Sequence, residues 1–226
     1  MTLGLTLALD GSTYSGSAAL IREYEVVAER QLDRVPKPGR EGRAEHFMPM
    51  VADCLRDGKV RSSDLTRIVC GEGPGSFTSL RVAASIAKGI AVGAGIPLFS
   101  VSSLLLIVAA SAKSNGKWLS ALPAMRGEIF VAPYEVEGAS IRETGEPRLV
   151  KEAEMEDEAE RLAATLIGPA HREEETPHAR GVARVLDQII ATGVCDIDSW
   201  EPVYGRLAEA QVKWEAAHGR PLSAAG

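Results

Sequence analysis

Hydrophobic and polar positions follow two different periods along this chain, and the period predicts where strands and helices lie. Short apolar runs near the start predict a three-stranded antiparallel meander, with strands at residues 3–9, 17–21 and 26–32. Apolar residues at helical spacing predict two helices, and β-prone runs predict two further strands. The helices are expected at 43–57 and 78–95, and the strands at 66–70 and 98–101. Residues 1–102 are therefore predicted to form one α/β unit.

The pattern after residue 102 predicts a second, smaller unit, residues 103–226. It opens with a helix at 103–113. Strands are then predicted at 118–122, 128–134 and 140–143, and helices at 152–166, 178–192 and 206–218. The amphipathic terminal helix 206–218 is a candidate to pack back on the first unit. The element order of the first unit is that of one half of an actin-like protein.

Segment 71–81 is the most informative part of the sequence, because a predicted strand ends there in a glycine turn that leads into a helix. Its three glycines permit backbone angles that other side chains forbid, and Ser76 or Thr78 can cap the helix. The turn either fixes the packing of the helix or binds an anion at the helix N-terminus. We favour the packing role, because no Lys follows Gly75 as a P-loop requires and Glu72 would repel a phosphate.

The composition places the chain among ordinary globular proteins and limits its function. Of 226 residues, 45% are apolar and 25% are charged, which suffices for a buried core. The net charge of −6 argues against a protein that binds nucleic acid by itself, and we interpret the basic cluster at 34–43 as a solvated loop. We recognise neither a bilayer-spanning stretch nor an export signal, so we expect a cytoplasmic protein without membrane contact.

The candidate metal ligands and nucleophiles are scattered. Three cysteines lack metal-ligand spacing and are typical of reduced thiols: Cys54, Cys70 and Cys195. Four histidines include no pair four residues apart on one helix: His46, His171, His178 and His218. We therefore predict no metal site and expect each histidine at the surface. Ser76 does not lie in a nucleophile elbow, so serine catalysis is not expected.

The turn Asp10-Gly11-Ser12-Thr13 after the first strand has two possible roles. It resembles the first phosphate loop of the actin-like superfamily, which would make the chain a small nucleotide-dependent ATPase or phosphotransferase that uses Asp10, Ser12 and Thr13. That chemistry also needs a base, metal-binding carboxylates and a second lobe that closes over the nucleotide. We favour a structural turn in which the carboxylate accepts local N–H groups, and keep the nucleotide enzyme as the alternative.

Several motifs resemble those of the bacterial TsaB (YeaZ) family, a partner protein in the synthesis of threonylcarbamoyladenosine on tRNA. The strongest resembles the family's G-P-G-S-F-T-G-[LV]-R and consists of Gly73, Pro74, Gly75, Ser76, Phe77, Thr78, Ser79, Leu80 and Arg81. Residues 7–13 resemble L-A-[IL]-D-T-S-T, and further segments fit at 87–89, 95–97, 101–104, 126–128 and 202–204. Three positions depart from the family pattern: Gly11 replaces Thr, Ser79 replaces Gly, and Pro123 stands where Asp is frequent.

This resemblance implies an actin-like, ribonuclease H-like fold with two lobes, the second of them reduced. It implies a non-catalytic subunit that pairs with the catalytic subunit TsaD and the ATPase TsaE. The product is N6-threonylcarbamoyladenosine at position 37 of tRNAs that read codons beginning with A. The resemblance further implies no cofactor of the chain's own, with any ATP or ADP at the partner interface, homodimers when the chain is alone, and tRNA contact only through the complex. The implied interface residues lie on two first-lobe helices: Phe47, Met50, Val51, Leu80, Ala83, Ala84, Ala87, Lys88 and Ile90.

Overall fold

The first β-sheet has five strands in the order β3-β2-β1-β4-β5, in a computed structural model that describes residues 4–32, 46–124 and 126–205. Its strands are β1 (Leu5–Asp10), β2 (Ser17–Arg22), β3 (Glu25–Gln31), β4 (Arg67–Gly73) and β5 (Leu98–Ser102). The first three pair antiparallel, as the meander predicted, while β4 is parallel to β1 and β5 is parallel to β4. The sheet is therefore mixed, and its centre is β1.

Two helices, α1 (Phe47–Asp57) and α2 (Phe77–Ala94), cover one face of this sheet. Alternate residues of β1 point to opposite faces, so Leu7 and Leu9 belong to the core under the two helices, whereas Ala8 belongs to the core on the other side. Helix α2 ends at Gly95, whose φ of 65° is a left-handed C-cap conformation. The predicted helices and strands of residues 46–102 are confirmed with shifts of a few residues at their ends.

The second sheet also has five strands, with β6 and the long strand β7 at its centre. Its strands are β6 (Gly116–Pro123), β7 (Glu128–Glu137), β8 (Ser140–Glu143), β9 (Arg148–Lys151) and β10 (Thr165–Ile167). The order is β10-β6-β7-β8, and β9 pairs with β7 alongside β8. The remaining helices are α3 (Ser103–Ser111), α4 (Met155–Leu162) and α5 (Val182–Ala191).

Helices α3 and α5 lie between the two sheets. One continuous core cluster joins Ala19 of the first sheet, Phe130 of the second, Leu106 of α3 and Leu186 of α5. Helix α3 is apolar on nearly all sides, which is typical of a helix buried from every direction. Position 103, where we place the boundary between the units, is thus the first residue of a helix that both sheets share.

The prediction of one helix over 152–166 is wrong. A short 3₁₀ turn at Glu152–Glu154 leads into α4, and α4 stops because Ala163 adopts a left-handed conformation with φ of 50°. The chain then forms β10, which the helical spacing of Leu162 and Leu166 concealed. Strand β9 was not predicted either.

Three predictions fall outside the described residues: the basic loop at 34–43, the first residues of helix 43–57, and the terminal helix 206–218 with His218. Across the described part of the chain, every helix is too short or too polar to span a membrane.

Candidate functional site

The carboxylate of Asp10 lies at the end of β1 and is completely buried. Its Oδ1 accepts the backbone N–H of Ser12 at 3.0 Å and the Ser12 hydroxyl at 2.6 Å, and its Oδ2 accepts the Ser103 hydroxyl at 2.6 Å. Burial raises the pKa of Asp10, while the hydrogen bonds from Ser103 and Ser12 oppose that rise. The local bond to Ser12 is the one expected of a turn former, and the bond to Ser103 joins the turn to the start of α3.

Glycine turns pack tightly around this carboxylate. A Cβ on Gly71 would lie 2.1 Å from Asp10 Oδ2, and a Cβ on Gly75 would lie 2.2 Å from the carbonyl oxygen of Ser12. The N–H of Ser76 donates to that same carbonyl at 2.8 Å. The segment that resembles the family motif therefore lies directly on the turn that resembles a phosphate loop, and side chains larger than glycine would separate them.

The departures at positions 11 and 79 meet in space. A Cβ on Gly11 would lie 2.5 Å from the carbonyl oxygen of Ser79 and 2.8 Å from Cβ of Ala83. The first turn of α2 thus rests on the β1–β2 turn, and Gly11 permits that close approach. Thr13, the last residue of the predicted loop, accepts the N–H of Ser15 at 3.2 Å and is half-buried.

The N-terminus of α2 carries an aromatic pair, of which Phe77 is exposed and Tyr204 is half-buried. Ser76 occupies the N-cap position, although its hydroxyl donates to Ser79 Oγ at 3.2 Å and does not cap the helix. The ring of Phe77 is 4.6 Å from that of Tyr204, and the Arg81 guanidinium lies 4.9 Å from the Phe77 centroid. The last described segment is held there by Val203, whose N–H donates to the backbone carbonyl oxygen of Glu72 at 2.7 Å.

Most side chains that the resemblance placed at a partner interface lie inside the protein. Seven of them form part of the protein's own core: Phe47, Met50, Val51, Leu80, Ala83, Ala84 and Ala87. The prediction that they form an exposed docking surface is wrong, because the apolar stripe of each helix is already used to cover the first sheet. Lys88 and Ile90 are half-buried, and the Lys88 ammonium lies 5.8 Å from the Trp200 ring.

The outer sides of α1 and α2 carry small and apolar residues that the sequence interpretation missed. We call them the helix-pair surface: Met48, Ala52, Ser85, Gly89, Val92 and Gly93, all exposed. Val92 is 66% exposed, and a Cβ on Gly89 or Gly93 would meet nothing within 4 Å. The signal that could have found them is the four-residue spacing of Ser85, Gly89 and Gly93, with Gly89 in the helix interior, where glycine has no turn to make.

The second lobe carries an open cleft of about 790 Å³ beside the β6–β7 turn. Its lining includes both basic and acidic residues: Arg126, Gly127, Glu128, Lys151, Glu152 and Ala153. Arg126 and Gly127 both have positive φ, 67° and 69°. This turn joins the antiparallel strands β6 and β7, as the β1–β2 turn joins β1 and β2.

Among the described residues, the acidic, cysteine and histidine side chains form no cluster of three or more that could hold a metal ion. The expectation that every histidine lies at the surface is wrong for His178, which is 5% exposed and accepts the N–H of Arg180 through Nδ1 at 3.1 Å. Burial, with a smaller contribution from the charge of Arg180, lowers the pKa of His178 to about 4. Burial also raises the pKa of Cys54 to about 11 and that of Cys70 further.

Comparison with known proteins relates this geometry to a family. Residues 25–176 match the model of the family described as TsaD: tRNA N6-adenosine threonylcarbamoyltransferase. The tRNA threonylcarbamoyladenosine biosynthesis protein TsaB of Bacillus subtilis is 28% identical over 228 residues, covering 92% of this chain and 96% of that protein. TsaB of Escherichia coli is 34% identical over 131 residues, which span 57% of this chain and only 54% of that protein.

A solved structure shows the same fold. YeaZ from Pseudomonas aeruginosa superposes with a TM-score of 0.72 at 24% sequence identity, covering 89% of this chain and all of that one. The expectation of an actin-like α/β fold with two lobes is confirmed.

Proposed function

Because this chain belongs to the TsaB (YeaZ) family, we propose that it is a non-catalytic subunit in tRNA threonylcarbamoyladenosine biosynthesis. In this proposal the helix-pair surface docks on a structurally related TsaD-like catalytic subunit, and a TsaE-like ATPase joins the complex. The same surface would support self-pairing when the chain is alone, since a patch that fits a structural relative can fit its own copy across a two-fold axis.

The observation that carries the proposal is the outer face of α2. Gly89 lies in the interior of the 18-residue helix and Gly93 in its last turn, and a Cβ on either would meet nothing within 4 Å. A glycine in a helix interior, such as Gly89, costs about 1 kcal/mol relative to alanine. Two exposed glycines four residues apart allow another backbone to approach α2 closely, which supports a role in docking.

The surroundings of Asp10 support a structural role for the β1–β2 turn. A nucleotide enzyme of the alternative kind would need this carboxylate directed at a metal or phosphate. Its two oxygens instead accept three hydrogen bonds from Ser12 and Ser103. The glycine segment that leads into α2 lies over the same turn.

The test is a substitution that leaves the isolated fold intact. Gly89→Arg adds a long charged side chain to an open helical position, so we expect the thermal midpoint to stay the same or rise slightly. Calorimetric titration with the purified TsaD-like subunit should show binding weakened by about a hundredfold or more, as expected when a charge is buried in an interface.

Ala191→Arg is the matched control, because Ala191 is exposed at the end of α5, on the opposite face of the first sheet. It should bind the partner as the unmodified chain does. Equal affinity of the Gly89→Arg variant and the unmodified chain would contradict the proposed docking surface.

Titration of the unmodified chain with ATP and Mg²⁺ separates the scaffold from the alternative enzyme. Tight binding with turnover that Asp10→Ala abolishes would favour the ATPase or phosphotransferase. Binding only in the presence of the partner would support a nucleotide site at the interface.

A further inference from the structure

The segment between β10 and α5 crosses from the second sheet to the first and makes hydrogen bonds there. Gln31 Nε2 of β3 donates to Thr176 Oγ1 at 2.8 Å, and the N–H of Ala179 donates to Ser17 Oγ of β2 at 2.9 Å. We propose that residues 176–181 form an interlobe clasp that holds the two sheets at one fixed angle, so that this chain does not open and close as a hinge.

Most polar groups of the clasp are buried. Ser17 is completely buried, Thr176 is 6% exposed and His178 is 5% exposed, whereas Gln31 is exposed and its bond to Thr176 is partly buried. A small opening would break the bond from Ala179 to Ser17 before water could enter to replace it, and an unsatisfied buried polar group is costly. Even a small separation of the two lobes is therefore unfavourable in free energy.

The other side of the clasp is wedged against α3. A Cβ on Gly181 would lie 3.1 Å from Ala109 Cβ, from the N of Ala110 and from the carbonyl oxygen of Leu106. The clasp thus fills the space between the first sheet and the helix that both sheets share.

The second chain crossing between the lobes is fixed as well. Helix α3 starts at Ser103, whose hydroxyl donates to Asp10 and accepts the N–H of Gly73 at 3.2 Å. Both the crossover into the second lobe and the return from it are therefore tied to the first sheet by buried polar groups.

Two exposed contacts also join the first sheet to the clasp and to α5. Tyr24 donates to both oxygens of Asp187 on α5 at 3.0 Å, and Arg180 lies 3.7 Å from Glu29 of β3. Exposed ion pairs contribute little, so the inference depends on the buried hydrogen bond from Ala179 to Ser17 and the partly buried one from Gln31 to Thr176. It stands independently of the proposed docking partner.

The test measures the distance between the lobes in solution. Spin labels are placed on the exposed positions Arg56→Cys in α1 and Glu160→Cys in α4 of the full chain, with Cys195→Ser as background, since Cys54 and Cys70 are completely buried. Double electron–electron resonance should give one narrow distribution of the distance between the labels, and ATP with Mg²⁺ should not shift it. A broad or two-peaked distribution in this chain would overturn the proposal.

The Ser17→Ala, Gln31→Ala double variant should make the distribution about twofold wider or add a longer distance. Gln188→Ala is the matched control, because Gln188 Nε2 makes an equally short bond, 2.8 Å, to Ile141 within the second half of the chain. It should leave the distribution narrow.

If the double variant does not fold, Gln31→Ala alone serves, because that bond is only partly buried. The proposal is overturned if a folded clasp variant keeps the narrow distribution, or if the Gln188→Ala control broadens it equally.

Discussion

The two faces of the first sheet are covered in different ways. The face under α1 and α2 is sealed by apolar contacts, with Leu7 and Val51 in its core. The opposite face adds buried polar links to its apolar core, from Asp10 to Ser103 and from Ser17 to Ala179. An apolar seal uses only one side of a helix and leaves the other side free for a partner. A helix that also lies between two sheets has no free side, so it serves to join the lobes.

The largest expected effect comes from breaking the apolar seal. Ala87→Arg places a charged side chain at a fully buried position of α2, so we expect a loss of more than about 5 kcal/mol or no folded protein at all. Urea denaturation followed by circular dichroism measures it. Ala191→Arg should stay within about 0.5 kcal/mol of the unmodified chain.

Ala87 is one of the residues that the family resemblance implies at a partner interface, and its burial makes this substitution a test of the fold and not of docking. Cooperative unfolding of the Ala87→Arg variant with a loss below about 1 kcal/mol would contradict the buried assignment.

The second prediction removes Asp10, a completely buried group on the polar face. Asp10→Ala leaves the Ser12 N–H, the Ser12 hydroxyl and the Ser103 hydroxyl without their acceptor. We expect a loss of about 4 kcal/mol in the free energy of unfolding. Asp10→Asn should cost much less, because it keeps an acceptor and resembles the neutral carboxyl that burial favours.

The raised pKa of Asp10 sets how its contribution to the free energy of unfolding depends on pH. A carboxyl that is harder to ionise when folded favours the native state at acid pH, and that contribution is lost as the pH rises through its folded pKa. Equal losses in the Asp10→Ala and Asp10→Asn variants would show that the hydrogen bonds do not carry the effect.

Much of the fold could be predicted from periodicity, and α2 shows why. Its apolar spacing and terminal glycines predict a helix at 78–95, and the structure has Phe77–Ala94. Strand β10 could not be found this way, because the apolar residues Leu162 and Leu166 continue the helical spacing across the break at Ala163. A left-handed alanine leaves no mark in the sequence.

The candidate site was less predictable because apolar spacing does not say what a helix packs against. The family resemblance assigns the apolar stripe that includes Ala83 and Ala87 to a partner interface. In the structure this stripe packs against the protein's own first sheet. The local bond from Ser12 to Asp10 follows from turn chemistry. The bond from Ser103 joins residues 93 positions apart, and only the folded topology brings them together.

The third prediction concerns the protonation of His178, a buried side chain on the polar face. Burial holds the pKa of His178 at about 4, below its ordinary 6.5, while Glu29 and Arg180 are the charged groups that face it. The unfolded chain therefore binds the proton first, and the native state loses stability as the pH falls from 6.5 towards 4. The full loss is about 3 kcal/mol.

His178→Asn should remove this part of the pH dependence, since asparagine can still accept at an N-cap position but does not titrate. Urea unfolding at several pH values between 7.5 and 4 measures the slope. The variant should be within about 1 kcal/mol of the unmodified chain at pH 7.5. An unchanged slope would mean that His178 is not the titrating group.

The smallest effect compares one glycine from each face. Gly89→Ala adds a methyl group to open space on α2 and raises helix propensity, so we expect a gain of about 0.5 to 1 kcal/mol. Gly181→Ala adds the same methyl group where three atoms lie 3.1 Å away, so we expect a loss of about 1 kcal/mol or more. Thermal unfolding of both variants measures the difference, and opposite signs are the decisive result.

A helix that keeps a destabilising glycine on its exposed side favours close approach by another chain over its own stability, so Gly89→Ala should stabilise the monomer while weakening the complex. If Gly89→Ala destabilises the isolated chain, the outer face of α2 is not open and the contrast between the two faces fails.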